Sequence, residues 1–124
     1  YVDLIGEVID KHSRNPLSMV KLELKKRISW FLQKVTKCCN EIEKLTGVEF
    51  LGIDISLAPY PYPLEDQSVV GLLERLGNIA RSRGDMEFKF GMNGTMFMHT
   101  FISRILKEIV DSGEFKTTGF NGLK

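Results

Sequence analysis

The sequence predicts an α/β protein: a mostly helical stretch (long helix, strand, two helices, the start of a second strand) belonging to a larger parallel sheet or barrel. Three observations predict it. Apolar residues between Leu17 and Leu45 recur every three or four positions, the period of a helix. Between Phe50 and Ala58 the period drops to two, the period of a strand. Helical spacing then returns twice before a final apolar run at Thr117 to Leu123. A lone strand leaves its backbone donors and acceptors unpaired. Its neighbours have to come from the rest of a longer chain or from other copies, and helices set between strands favour parallel pairing within one chain.

Each element has its own signal. Leu4, Ile5, Val8 and Ile9 predict a short helix over Tyr1 to Lys11, ended by "HSRNP", where Asn15 precedes a proline. The long helix carries Leu24, Ile28, Phe31, Leu32, Val35, Cys38, Cys39, Ile42 and Leu45 on its apolar side, with Gly47 as its stop. In the strand, Leu51, Ile53, Ile55 and Leu57 share one face, and Gly52, Asp54, Ser56 and Ala58 share the other. Pro59, Pro61 and Pro63 lack backbone donors, which makes "PYPYPLED" a loop. Asp66 or Ser68 caps the next helix, whose stripe is Val69, Leu72, Leu73, Leu76, Ile79 and Ala80. "RSRGD" is a turn, Glu87 to Phe90 a short extended piece, and "GMNGT" a second turn. The last helix runs from Thr95 to Asp111 on Met98, Phe101, Ile102, Ile105 and Ile109.

These 124 residues suit one domain, divided into a helical part, 1–46, and a strand-helix-helix-strand part, 47–124. The chain opens on Tyr1 and stops at "TTGFNGLK", which predicts an internal fragment. A composition of 43% hydrophobic and 27% charged residues is that of a globular domain. A formal net charge of +1 provides no field to gather nucleic acid or an anionic membrane, so neither is expected as a partner. The adjacent Cys38 and Cys39 complete no metal set, and no secretory signal or membrane-length apolar run is present. The expected compartment is the cytoplasm.

Two groups of residues are candidates for chemistry. Asp54 and Ser56 place a carboxylate and a hydroxyl on one face of the predicted strand, about 7 Å apart. They read either as an acid/base or cation-binding pair at a strand's carboxyl end, with Glu65 and Asp66 across the loop, or as braces for neighbouring backbone donors. In the second group Gly91, Asn93, Gly94 and Thr95 run into a helix N-terminus, whose free amides suit an anion. His99 lies one turn beyond Thr95 on the buried side. The competing reading is an ordinary turn and cap with a core histidine. Together these residues make a small anionic or carboxylate ligand the expected small-molecule partner. They name no cofactor, metal or reaction.

The motifs "GIDISLAPYPYPLEDQSVVGLLERLG", "FGMNGTMFMHTFISRIL" and "TTGFNGL" resemble signatures of the uncharacterised prokaryotic proteins called pyruvate formate-lyase-like. The resemblance rests on Gly52, Asp54, Ser56, Ala58 and Pro59, on Gly91, Gly94 and Thr95, and on Gly119, Phe120 and Gly122, within residues 47–123. It implies a fragment of an α/β barrel similar to that of glycyl-radical enzymes, with the even-numbered face of the strand looking inward. No glycyl-radical segment of the form R-V-x-G is present. Two functions stand open: a small-molecule-binding or enzymatic domain using Asp54, Ser56 and Thr95, or a non-catalytic structural or regulatory module whose polar face braces loops and whose long helix binds a protein partner. A homo-oligomer is an open expectation in either case.

Overall fold

Val20, Leu24, Ile28 and Leu32 follow one another at single-turn spacing and are at most 1% exposed, so the first half of the long helix is held by one continuous buried edge. In a computed structural model of the chain, which describes residues 2–11, 17–57, 68–80 and 88–123, this helix is α2, Leu17–Thr46. It is preceded by α1, Val2–Lys11, and followed by α3, Val69–Ala80, and α4, Thr95–Asp111. α1 packs on α2 and α3, and α4 packs on the same two helices, which closes a four-membered ring. One core fills it. Ile5 and Ile9, the buried edge of α2, Leu72, Leu73 and Leu76, and Ile102, Ile105 and Leu106 all contribute to that core.

Local chemistry fixes the ends. At the close of α2, Gly47 takes a left-handed φ of 71° and its N–H donates to Glu43 O at 2.8 Å, the glycine stop that the sequence predicts. Ser68 caps α3 by accepting the Gly71 N–H on its hydroxyl at 2.9 Å. The other predicted cap, Asp66, lies outside the described residues, as do Tyr60, Tyr62, Glu65, the three loop prolines, His12 and "RSRGD". Lys21 and Lys25 of α2 both pair with Glu108 of α4, the latter at 2.9 Å. Those two ammonium groups hold the Glu108 carboxyl below its usual range.

The α/β expectation is not met. Among the described residues no strand forms, and hence no sheet or barrel. Pairing between the two predicted strand segments comes down to isolated parallel bridges, Ile53 with Thr117 and Leu57 with Leu123. The reason is a mismatch in length: the bridges are four residues apart on one segment and six on the other. The surplus is taken up where Gly119 and Asn121 turn to positive φ, 78° and 52°. A ladder needs both backbones extended over several residues, and these two positions end that continuity. Leu51, predicted to share one face with Ile55 and Leu57, is exposed while those two are buried. The apolar alternation is therefore shorter in space than in sequence.

Residues 88–90 are likewise not a strand. The Phe88 N–H donates to Asn78 Oδ1 at 2.6 Å and the Phe90 N–H to Glu74 Oε1 at 2.8 Å, so α3 side chains take the donors that a ladder would use. The Phe88 ring is buried against Gly77, which has no side chain to obstruct it.

Candidate functional site

The segment 51–57 meets 116–123 by three backbone hydrogen bonds. Ile53 N–H donates to Lys116 O at 2.9 Å, Thr118 N–H to Ile53 O at 3.1 Å, and Leu57 N–H to Gly122 O at 2.9 Å. Gly52 makes the approach feasible: a Cβ there would lie 2.9 Å from Lys116 O, and its φ is 124°. Between the two bridges a side chain takes over from the backbone, because the Ile55 N–H donates to Asn121 Oδ1 at 3.1 Å.

Asp54 faces the kinked residues. Its Oδ1 accepts the Ser56 N–H at 2.9 Å, the Asn121 N–H at 3.1 Å, and the Ser56 hydroxyl. The Ser56 Oγ in turn accepts the Gly122 N–H at 3.4 Å. Thus Asp54 and Ser56, expected side by side on one strand face, are instead joined directly by hydrogen bonds on a segment that forms no strand, and both are hydrogen-bonded to the backbone turn opposite. The Ser56 hydroxyl and N–H, helped by the Asn121 and Phe120 N–H groups, lower the Asp54 pKa from 3.8 to about 2. Since the folded value lies below the unfolded one, the clamp contributes fully above the unfolded pKa and is lost as pH falls through the folded value. Denaturant midpoints of the wild-type chain and Asp54→Asn are therefore expected to differ by a constant amount above about pH 5. The gap should close as pH falls from 3.8 toward about 2. A pH-independent gap would contradict the clamp.

The second group forms a turn closed by Thr95. The Gly91 N–H donates to Thr95 Oγ1 at 3.0 Å, and that hydroxyl donates to Met92 O at 2.8 Å. Gly91 and Gly94 have φ of 93° and 107°, the left-handed region in which glycine carries no Cβ penalty. Asn93 is exposed, and no side chain caps the first turn of α4. His99 is half-buried in the second turn of α4. Among the described residues no hydrogen bond joins this turn to Asp54 or Ser56. Nor is there, among them, a group of three or more His, Cys, Asp or Glu side chains able to hold a metal. Asp66 lies outside the described residues, so the predicted cation-binding cluster with Asp54 has no geometry to report.

Other features are clear only in three dimensions. An open cleft of about 490 Å³ between α1 and α2 is lined by Glu7, Val8, Glu23, Lys26, Arg27 and Trp30, with the Arg27 guanidinium 4.8 Å from the centre of the Trp30 ring. The largest departure from expectation is on α2. Beyond Leu32 its apolar residues come out of the core: Val35 is half-buried, Cys38 exposed, Ile42 51% exposed and Leu45 86% exposed. The spacing 31, 35, 38, 42, 45 is a four-three alternation, the narrow seam of a coiled coil and not the broad stripe of a core helix. The same alternation already runs through Leu24, Ile28 and Phe31 in the proximal half, so spacing alone does not separate the two halves; burial does.

These elements define the class: among the described residues, four helices whose two connecting segments are clamped by Asp54, Ser56 and Asn121, with the apolar row on the distal half of the longest helix exposed. The chain belongs to the family described as Uncharacterised ACR (DUF711), which it matches over residues 2–124. That family is a domain of unknown function; the pyruvate formate-lyase part of the resemblance is not shown by the match. No curated protein and no solved structure matches the chain. No helix among the described residues is long and apolar enough to cross a membrane.

Proposed function

We propose that this domain is a non-catalytic interaction module that docks a protein helix along the distal half of α2. The observation that carries the reading is the contrast within one helix. Leu24 and Ile28 are at most 1% exposed, whereas Ile42 and Leu45 on the same heptad seam stand 51% and 86% exposed. Apolar side chains scattered singly over a surface need no explanation, but a row at coiled-coil spacing offers knobs to a second helix. In this reading Asp54, Ser56 and Thr95 brace loops, because their polar atoms are engaged with backbone groups.

Ile42→Glu with Leu45→Glu tests it. The double variant is expected to keep its helix content and to melt within about 2 °C of the parent, since both side chains stand clear of the core. A photoreactive phenylalanine at Leu45 should form a covalent adduct with a polypeptide in the producing cell, and Ile42→Glu should abolish that adduct. Two results would count against the reading. One is an adduct yield at Leu45 no higher than at the exposed Lys26. The other is a thermal shift with a small carboxylate or phosphate that disappears in Asp54→Asn.

A further inference from the structure

Granting that docking reading, we infer that the helix docked on distal α2 is the same segment of a second copy of this chain, running antiparallel across a two-fold axis. The argument is charge complementarity along the seam. With Val35 and Ile42 as a positions and Phe31, Cys38 and Leu45 as d positions, the flanking g positions are Lys34 and Glu41 and the e positions are Cys39 and Thr46. An antiparallel pair sets a opposite d and brings g beside g. Val35 then faces Leu45 of the second copy, and Cys38 faces its Ile42. Lys34 lies beside Glu41 of the second copy, and by symmetry the same contact forms again on the other side of the axis. A parallel pair would set g beside e, placing Lys34 against Cys39 and Glu41 against Thr46, with no charge matched. Flanking charges select orientation in such pairs, so the sequence of this one face specifies the antiparallel arrangement.

The structure leaves both charges available. Lys34 is exposed, its ammonium 5.7 Å from the centre of the Trp30 ring, and Glu41 is exposed and holds no ion pair with another described residue. Leu24 and Ile28 on the same seam are buried in the chain's own core, and Phe31 is half-buried against it. The contact between copies therefore starts at Val35 and ends at Leu45. So short a contact falls in the small-interface class, below roughly 1,200 Å² in total, the class of weak and transient association.

Sedimentation equilibrium under reducing conditions, at low salt and across about 1 to 200 μM protein, tests the inference on four forms: the parent, Lys34→Glu, Glu41→Lys and the double exchange. Far-ultraviolet circular dichroism confirms that each is folded. The parent is expected to move from monomer to dimer over that range. Each single exchange places two like-charge contacts at the interface and should weaken the dimer by roughly tenfold, and the double exchange should restore it. A dimer indifferent to all three exchanges would overturn the antiparallel seam. A parent that stays monomeric while Leu45 still crosslinks to a different polypeptide would overturn the second copy but leave the docking reading standing. A monomer with no crosslink at all would overturn both.

Discussion

Gly77→Ala is expected to destabilise the domain by about 1–3 kcal/mol, the size of an overpacking penalty, although replacing a glycine inside a helix ordinarily gains up to about 1 kcal/mol. The reversal of sign comes from Phe88. A Cβ at position 77 would lie 2.1 Å from Phe88 Cδ1 and 2.3 Å from Cγ, so the ring has to leave its seat. It cannot move freely, because its own N–H is held by Asn78 and the next-but-one N–H by Glu74. Phe88 is 2% exposed, and its removal in Phe88→Ala should cost about 3–5 kcal/mol. The pair should be strongly non-additive: once the ring is gone, Gly77→Ala no longer clashes and recovers its ordinary helix gain. Chemical denaturation of the two single variants and the double variant checks this. Additive losses would show that the ring does not rest on the glycine.

Leu24→Ala should cost about 3–4 kcal/mol, whereas Leu45→Ala should change stability by less than about 0.5 kcal/mol. The substitution and the helix are the same in both cases. What differs is what surrounds the side chain: Leu24 is fully buried among core residues and leaves a cavity, while Leu45 is 86% exposed and leaves none. If Leu45→Ala were as costly as Leu24→Ala in dilute protein, the distal half of α2 would be packed against the chain's own residues, contrary to the arrangement described here.

The helices were legible because their signals are local. The buried edge of α2, the stripes of α3 and α4, the glycine stop at Gly47 and the Ser68 cap all follow from residues within a few positions of one another. For the complementary reason, the absence of a sheet is not legible. Alternation over Phe50 to Ala58 says that a segment can be extended, but whether it joins a ladder depends on a partner more than sixty residues away. Gly119 and Asn121 bend that partner out of register, and Asn121 supplies a side-chain carbonyl where a backbone one was due. Asp54 and Ser56 do meet, but through hydrogen bonds within a local turn and not across one face of a strand. Their common target, the 119–122 turn, was not visible, because long-range hydrogen bonds leave no periodic trace in a sequence. For α2, one apolar seam with the same four-three spacing from Leu24 to Leu45 spans two environments, and the spacing does not separate them, because what covers the proximal half comes from other helices.

Amide hydrogen exchange along α2, followed in dilute and in concentrated protein, bears most directly on the uncovered distal helix. The proximal amides around Val20 to Leu32 should exchange slowly at both concentrations, at the rate of global unfolding, because the core covers them. Amides from Val35 to Leu45 should exchange quickly when dilute, as an uncovered helix end does, and slow markedly once concentration drives a second copy onto the seam. Equally slow exchange in both halves of dilute protein would mean that the distal half is already covered within the chain, and fast exchange there at every concentration would mean that no second copy docks.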